Sequence, residues 1–314
     1  MKTAWMRVLK VTLTSKKLKK KIVFGENEDK NKPDLNIEVT GTKYMSTLKD
    51  DCIVKISNLT YSEIVRIIDG EFFDIQVEAG YKSSGSRVFF DGGVLYISNS
   101  LDDERTNTVI ILCTSKLIAK YGQARLKLTL NSGINLYSAV KYLCKASGIS
   151  TANISQQLKK TLLKETSSST DSVATWINEF CQDNSNYVVN SDYSTGSVLS
   201  ICDSNKSNLR VIDLTSSLSM LVGGYPQLTD QGLEFSIMPT FNFMCADVVK
   251  LDNSIISLST NSMKEVQKNY GYFLDKNNLY MIFEMNYHFQ NRGPNFSIGI
   301  KAKSRSLISN YVGK

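Results

Sequence analysis

The hydrophobic pattern is clearest in the first third of the chain, where three stretches rich in aromatic and β-branched residues follow one another. They cover Phe72–Ala79, Arg87–Ser98 and Thr108–Thr114, and each predicts a β-strand. The small polar residues of Tyr81–Ser86 predict a turn between the first two, which makes a hairpin. The charged stretch Asn99–Asn107 predicts a solvated loop before the third. This meander cannot bury its apolar face alone and needs other strands to cover it.

The residues before the meander predict one short helix among further strands. Thr60–Asp69 is predicted to be helical, because Thr60 can cap it and Glu63 lies three residues on, the spacing of a capping box. The residues that share its apolar face are Ile64, Ile67 and Ile68. Strands are predicted at Met6–Leu13, Lys20–Phe24, Leu35–Thr40 and Cys52–Ser57. Residues 1–115 are therefore predicted to form a first β-barrel domain, since closure hides strand edges.

The middle of the chain has helical periodicity. Asn135–Ala146 predicts a helix that stops before Gly148. Its apolar face consists of Leu136, Val140, Leu143 and Cys144. A second helix is predicted to begin at Asp171, and Tyr187–Val189 with Ser197–Cys202 predicts a hairpin. Residues 116–205 are therefore predicted to be a small α+β domain.

From Leu209 the pattern returns to strands. The predicted strands are Leu218–Val222, Leu233–Met238, Val248–Leu251, Leu279–Gln290 and Phe296–Lys303. Turns are predicted at Gly223–Gly224, Leu228–Gly232 and Asn291–Pro294. Residues 206–314 are predicted to form a second β-barrel domain, so the fold class is β-rich α+β, with two β-barrel domains flanking a small α/β domain.

Composition is that of an ordinary globular protein, with 42% hydrophobic and 21% charged residues, which argues against a disordered chain. No apolar run approaches the ~20 residues of a membrane-spanning helix. The N-terminus lacks the apolar segment of a signal peptide. We therefore expect a protein that is neither secreted nor inserted in a membrane.

The net charge of +7 comes from one segment. Residues 1–32 contain ten Lys and Arg against three Asp and Glu, and the rest of the chain is balanced at 27 of each. The cluster consists of Lys16, Lys17, Lys19, Lys20 and Lys21. It is a possible interaction patch for nucleic acid or for an acidic protein surface. The favoured alternative is a solvated hairpin loop between two strands, because no aromatic platform or groove-reading helix accompanies the lysines.

Candidate chemistry is sparse. The six cysteines, Cys52, Cys113, Cys144, Cys181, Cys202 and Cys245, are dispersed without a C-x-x-C pair, which favours buried thiols in a reducing compartment over a metal site. His288 is the single histidine and alternates with two aromatic residues in a predicted strand. Asp102, Asp103 and Glu104 crowd into one predicted loop, unlike the separated carboxylates of a glycosidase. No motif of a hydrolase, metalloprotease or nucleotide-binding loop is present. We predict no catalytic, metal-binding or cofactor-binding residue, no cofactor and no enzymatic activity.

Four stretches carry a resemblance to a known family: VEAGY, VFFDGGV, GGYPQLTDQGLEFSIMPTFNFMCADVVKL and YHFQNRGPNFSIGIKA. In this order they resemble the baseplate hub proteins of contractile-tailed bacteriophages, over about Ile53 to Lys303. The resemblance implies a homotrimer whose two barrels per subunit build a ring between the tail tube protein and the central spike protein, next to other baseplate proteins. Transient passage of DNA during ejection, location in the virion tail baseplate and assembly in the host cytoplasm are also implied.

The sequence departs from the family at two places. Gly25–Met45 is interpreted as a longer, polar insertion, and Met244–Asp247 stands where a proline-glycine turn is frequent. Apolar character on both faces makes Val109–Cys113 and Tyr280–Phe283 candidates for contacts between subunits.

Two alternative functions stay open. The first is a tail-associated cell-wall hydrolase, against which no lysozyme-like helical segment is present. The second is a nucleic-acid-binding protein that uses the Lys16–Lys21 cluster, whose binding would weaken with salt. For the hub itself, we expect a near-neutral or acidic lumen, because a basic one would retard DNA.

Overall fold

The computed structural model describes residues 6–25, 35–45, 50–102, 106–115, 127–147, 151–154, 156–169, 187–190, 199–203, 210–229, 232–240, 243–258 and 274–305. The strands in these ranges are β1 Arg7–Ser15, β2 Lys20–Phe24, β3 Asn36–Tyr44, β4 Asp51–Ser57, β5 Asp74–Tyr81, β6 Gly85–Asp102, β7 Thr106–Ser115, β8 Leu128–Leu130, β9 Thr151–Ile154, β10 Ser167–Ser169, β11 Tyr187–Asn190, β12 Leu199–Asp203, β13 Val211–Asp213, β14 Leu221–Thr229, β15 Gly232–Ile237, β16 Val248–Lys250, β17 Ser257–Leu258, β18 Leu279–Gln290 and β19 Phe296–Ser304. The α-helices are α1 Tyr61–Ile68 and α2 Leu136–Ser147.

One sheet organises the described chain. Its strand order is β17-β14-β15-β19-β18-β3-β4-β7-β6-β5-β1-β2, with β16 and β13 branching from β18. Its pairs are antiparallel apart from β13–β16 and β14–β17, which are parallel. Two small sheets, β8–β10 and β9–β12–β11, belong to the middle of the chain. The described part of the protein is therefore β-rich, as predicted.

The predicted meander is present, with one correction. β5 and β6 form the expected hairpin, in which Tyr81 pairs with Gly85. The predicted loop at Asn99–Asn107 is wrong, because β6 continues to Asp102 and pairs with β7 down to Thr106. The charged residues begin only at Asp102, and the polar residues before them, Asn99 and Ser100, are tolerated on a solvated face of an antiparallel strand. Residues 103–105, with Asp103 and Glu104, lie outside the described residues.

Helix α1 confirms the predicted capping box. The backbone N–H of Thr60 donates to a Glu63 carboxylate oxygen at 2.9 Å, and the N–H of Glu63 donates to Thr60 Oγ1 at 3.4 Å. Ile64 and Ile67 are buried as predicted, but Ile68 is 48% exposed. Ile68 is the last helical residue.

Strand β18 is shared by the two halves of the sheet. Along one edge it pairs with β19 over almost its whole length. Along the other edge, Leu279–Met281 pair with β16 and Glu284–Gln290 pair with β3. Between these segments, Ile282 and Phe283 bond to the chains leading into β16 and out of β3. A single strand therefore links the N-terminal and C-terminal halves.

The interpretation of Gly25–Met45 as an insertion is wrong for its second part. β3 lies inside the sheet, paired with β4 on one side and β18 on the other. Ile37 and Val39 are fully buried, whereas polar residues occupy the other face. This alternation is typical of a strand with one solvated face. Residues 26–34 lie outside the described residues.

No pairing between described strands closes the sheet, whereas two β-barrel domains, closed or nearly closed, were predicted. Side chains instead bring distant strands together. The Tyr81 and Phe296 rings lie 5.3 Å apart, and those of Phe89 and Phe289 lie 5.0 Å apart. The Arg7 guanidinium lies 5.0 Å above the Phe296 ring and donates to the carbonyl oxygen of Gln290 at 3.3 Å. Edge-to-face ring contacts are favourable in themselves and do not need backbone pairing, so β1, β5 and β6 meet the β18–β19 hairpin through a side-chain seam.

The middle region agrees with its predicted elements where it is described. The predicted apolar face of α2 is buried, and β11 and β12 form the predicted hairpin. Strand β9 was missed; it pairs in parallel with β12. The predicted helix from Asp171 lies outside the described residues.

The C-terminal strands match closely except at β14. β18 has the predicted bounds, Leu279–Gln290. Leu218–Met220 is a 3₁₀ turn rather than a strand, and β14 continues through the predicted turn at Gly223–Gly224. The strand accommodates both glycines by an irregularity in its pairing with β15.

Candidate functional site

The five predicted lysines come together at one end of the β1–β2 hairpin, called here the basic tip: Lys16, Lys17, Lys19, Lys20 and Lys21. All five are exposed. Ser15 pairs with Lys20, so four residues make the turn. Lys19 adopts φ +50°, and the N–H of Leu18 donates to Ser15 Oγ at 3.3 Å. The geometry is that of the solvated hairpin loop favoured from the sequence, and whether the basic tip binds a partner stays a prediction.

Two of these lysines have carboxylate partners within the chain. Lys16 Nζ lies 2.9 Å from Asp74, at the start of β5, and Lys17 Nζ lies 2.7 Å from Glu71. Lys19, Lys20 and Lys21 make no ion pair with the described residues. Solvent-exposed ion pairs contribute little to the stability of the fold. Their main effect is to neutralise Lys16 and Lys17, so the uncompensated positive charge of the basic tip lies on the β2 side.

An exposed apolar ridge crosses β6, β7 and β4 near this tip. Its residues are Leu95 (64% exposed), Tyr96 (60%), Leu112 (37%) and Ile53 (37%). Sequence reasoning did not identify it as a unit, although Val109–Cys113 was a predicted contact segment and contains Leu112. The sequence did contain an indication of it in Val94–Ile97. These are four consecutive apolar residues, whereas an antiparallel strand with one solvated face should alternate apolar and polar residues.

The other predicted contact segment, Tyr280–Phe283, does not form an open surface. Tyr280, Met281 and Ile282 are exposed by no more than 1%. Strands β16 and β19 occupy the two edges of β18 at this level, and the burial of three consecutive residues shows that both faces of the strand are covered as well. The prediction of a subunit contact is therefore wrong for Tyr280, Met281 and Ile282, whereas Phe283 is half-buried.

A shallow groove of about 330 Å³ lies on the outer face of β14, β15, β19 and β18. Val222 pairs with Ser236 and Gln227 pairs with Glu234, so β14 has four residues between these pairs where β15 has one. The four residues, Gly223–Pro226, therefore arch out of the sheet. The arch carries Tyr225, which is 67% exposed. The groove floor includes Ser236, Asn286 and Gly299. An open polar groove of this kind can accept part of a partner chain but assembles no nucleophile with a general base.

The turn before β16, where the family resemblance fails locally, is held by a buried carboxylate. Asp247 is 5% exposed at its side chain and accepts from Arg210 Nε at 3.0 Å and from the Met244 N–H at 2.7 Å. Ala246 adopts φ +74°, a conformation that glycine would favour. The Asp247 contacts thus fix the turn at Met244–Asp247, where the family resemblance implies a proline-glycine turn.

His288 and the cysteines do not assemble a reactive centre within the described residues. His288 Nε2 lies 2.7 Å from Glu38 Oε1. Burial opposes ionisation of Glu38, but hydrogen bonds from His288 and Gln290 outweigh it and lower the pKa of Glu38 below its ordinary value. The described residues contain no group of three His, Cys, Asp or Glu placed to hold a metal ion.

Four cysteines are buried thiols, as predicted: Cys52, Cys113, Cys144 and Cys245. Burial raises the pKa of Cys144 to about 12 and that of Cys245 further. A hydrogen bond with Cys52 and burial raise the pKa of Cys113. Such thiols are poor nucleophiles, because the thiolate is the reactive form. Cys202 lies in β12, and Cys181 lies outside the described residues.

Comparison with known families decides the identity. The sequence model of the family "Baseplate hub gp41" matches residues 8–272. The chain belongs to the baseplate hub gp41 family. The resemblance seen in its residues is thereby confirmed, and the hub is a structural component of the bacteriophage tail baseplate.

Solved tail proteins share the fold of this hub. The 43 kDa tail protein of prophage MuSo2 from Shewanella oneidensis is 8% identical, with a TM-score of 0.56, and the match covers 95% of this chain and 98% of that one. The tail protein from Neisseria meningitidis MC58 is 6% identical, with a TM-score of 0.53 and coverage of 96% and 97%. Identities this low establish similarity of fold alone.

A third similar structure belongs to a secretion system. The Escherichia coli c3393 protein, described as a component of the type VI secretion system with structural similarity to the T4 bacteriophage tail proteins gp27 and gp5, is 8% identical with a TM-score of 0.52. The match covers 88% of this chain and 75% of that one. Comparison with curated protein sequences found no match. Among the described residues, neither helix combines the length and apolar character needed to cross a membrane.

Proposed function

We propose that this hub forms a homotrimeric ring that joins the tail tube protein to the central spike protein and leaves an axial passage for DNA during ejection. The observation that carries the proposal is the family match over residues 8–272. The ring also contacts other baseplate proteins, assembles in the host cytoplasm and has no enzymatic activity of its own.

The shared strand β18 supports a role in transmitting force across each subunit. β18 has hydrogen-bonded neighbours on both edges. One half of the sheet therefore cannot move relative to the other unless backbone hydrogen bonds to β18 break. Separating two antiparallel strands along their length requires many such bonds to break together. A ring between tube and spike needs this kind of stiffness across each subunit.

We further propose that the chain is organised as barrel-like units at residues 1–115 and 206–314, with residues 116–205 as a small α+β domain between them. The aromatic contacts between β5 and β19 and between β6 and β18 support a rolled first unit. In this arrangement, the side-chain contacts that complete the first unit include residues at the end of the β18–β19 hairpin. In this proposal, side chains rather than backbone pairing close part of the first unit.

The chemistry of the described residues supports a structural role. A hydrolase needs an activated nucleophile, a metal-bound water or a suitably spaced carboxylate pair. The Cys113, Cys144 and Cys245 thiols are held protonated by burial and neighbouring groups, and His288 is engaged with Glu38. We expect no cleavage of purified peptidoglycan by the full chain, and cleavage abolished by a point substitution would contradict this part of the proposal.

Mass and shape test the ring directly. Three copies of the 35.1 kDa chain give about 105 kDa by light scattering, and negative-stain images should show a ring with a central lumen. The measurement is made on the chain alone and after co-expression with the spike protein of the same phage. A compact monomer under both conditions would overturn the trimeric ring. A continuous positive potential along the lumen would contradict the expected near-neutral or acidic lining.

A further inference from the structure

The apolar ridge is continuous from β6 to β4. Tyr96 pairs with Leu112, and Leu112 pairs with Ile53. Neighbouring strands lie about 4.8 Å apart, so consecutive members of the ridge are close enough for their side chains to form one patch. Soluble proteins rarely leave such a patch uncovered unless it binds something.

A β-bulge creates the centre of the ridge. Val94 pairs with Cys113 and Tyr96 pairs with Leu112, which leaves Leu95 as an extra residue in β6. Adjacent residues of a regular strand point to opposite faces. The extra residue breaks this rule, and both Leu95 and Tyr96 are exposed. Bulges re-aim side chains in this way at functional surfaces.

The ridge lies on the same face of the sheet as Lys21. Lys21 pairs with Thr14, Thr14 with Asp74, and Asp74 with Gly93, which is two residues before Leu95. Lys21 therefore lies about three strand spacings, roughly 15 Å, from Gly93. With Lys16 and Lys17 paired to carboxylates, the remaining positive charge at this end of the ridge belongs to Lys19, Lys20 and Lys21.

We propose that the apolar ridge and Lys19–Lys21 form one docking surface for a second baseplate protein, whose complementary surface is apolar and carries carboxylates at one end. The inference rests on the hub role proposed above. Apolar contacts supply the centre of such an interface, and the complementary charges set its orientation and its rate of association.

The side chains of this surface argue against duplex DNA as the occupant, and the cross-linking experiment distinguishes a second copy of the chain. Duplex DNA would meet the lysines but also the carboxylates of Glu71 and Asp74 among them. Tyr96 is aromatic, but Leu95, Leu112 and Ile53 are aliphatic, and stacking of successive bases requires several aromatic or guanidinium planes.

Site-specific cross-linking in assembled tails tests the proposal. The photo-cross-linker p-benzoylphenylalanine is placed at position 96 in the full chain, with the same substitution at Tyr142 as control, because Tyr142 is 53% exposed on α2 and lies outside the ridge. Tails are purified and irradiated, and cross-linked products are identified by mass spectrometry. We expect position 96, and not position 142, to capture one other tail protein.

The captured protein is then purified and its affinity measured at low and high salt. The combined change Lys19→Gln, Lys20→Gln and Lys21→Gln should weaken binding about tenfold at low salt and much less at high salt, because ions screen exposed charges. The matched control changes Lys159, Lys160 and Lys164, also exposed, to Gln and should leave affinity unchanged.

Each outcome has one meaning. Capture of a tail protein with lysine-dependent affinity supports the docking surface. Capture of a second copy of this chain, lysine-dependent binding to a 30-base-pair DNA duplex without protein capture, or no capture at position 96 overturns it. Immunoblotting of the purified tails separates the two proposals: absence of the chain from tails would refute the hub role itself, whereas presence without capture would refute the docking surface alone.

Discussion

Replacing Gly41 with alanine tests the junction between β3 and β18. Gly41 pairs with Tyr287, whose ring is 2% exposed and covers the glycine. A Cβ at position 41 would lie 2.2 Å from Tyr287 Oη and 2.5 Å from the carbonyl oxygen of Asp51. Non-bonded atoms normally stay about 3.5 Å apart or more. The substitution therefore forces the ring or strand β4 to move by roughly 1 Å.

The expected loss of stability depends on which group moves to make room for the new methyl group. Overpacking of a buried site costs about 1–3 kcal/mol, and expelling the ring would lose a similar amount of apolar burial, about 1.5–3 kcal/mol. Alanine reduces the entropy of the unfolded chain relative to glycine, which offsets about 0.4–1 kcal/mol. We expect a net loss of about 2 kcal/mol, which for a chain of this length corresponds to a fall of about 3 °C in the midpoint of thermal unfolding.

Gly299 supplies a matched control on the other side of β18. It pairs with Asn286, and a Cβ there would meet nothing nearer than the Asn286 carbonyl oxygen at 3.5 Å. Gly299→Ala should therefore leave stability unchanged or raise it slightly. Both variants are compared with the unaltered chain by thermal and urea unfolding. If Gly41→Ala is as stable as Gly299→Ala, Tyr287 does not sit against Gly41 and the shared-strand arrangement is incorrect.

Three further outcomes are expected. Asp247→Asn should lower stability by about 2 kcal/mol, because the buried carboxylate loses its ion pair with Arg210, whereas Asp213→Asn at an exposed ion pair should change little; similar urea midpoints for both variants would contradict this. Thr60→Ala should cost about 1 kcal/mol by removing the helix cap, and an unchanged urea midpoint would refute the cap. Burial raises the pKa of Tyr280 to about 12 from 10.0, so its stabilisation is present below pH 10 and lost as the pH rises towards 12; Tyr280→Phe should lose less stability between about pH 8 and pH 11 than the unaltered chain, and an equal loss in both would show that Tyr280 does not titrate in this way.

Local features of the fold were predictable because local physics determines them. The capping box of α1 needs only Thr60 and Glu63 at the right spacing, and the β1–β2 hairpin joins adjacent strands. The bounds of β18 follow from twelve residues of continuous strand-forming character. The clustering of the five lysines was predictable for the same reason, since all lie in one short turn and the strand after it.

Long-range features were not predictable from a pattern. Strands β3 and β18 lie about 250 residues apart, as in the contact between Glu38 and His288, and no periodicity indicates which edge will accept a partner. The pairing of Lys16 with Asp74 likewise depends on β5 lying beside β1. The bulge at Leu95 coincides with four consecutive apolar residues. The same pattern is typical of a strand covered on both faces, so it does not by itself predict a bulge.

The position of β18 near the end of the chain also sets the order in which the protein can be completed on the ribosome. The outer edge of β3 has no partner until Glu284–Gln290 have been synthesised. At about 5–20 residues per second, the intervening ~240 residues take roughly 12–50 s. During that interval β3 presents unpaired backbone groups beside buried-type side chains, which is a surface prone to aggregation. We therefore expect a chain that stops before residue 284 to leave this edge of β3 unpaired and to aggregate more readily than the full chain.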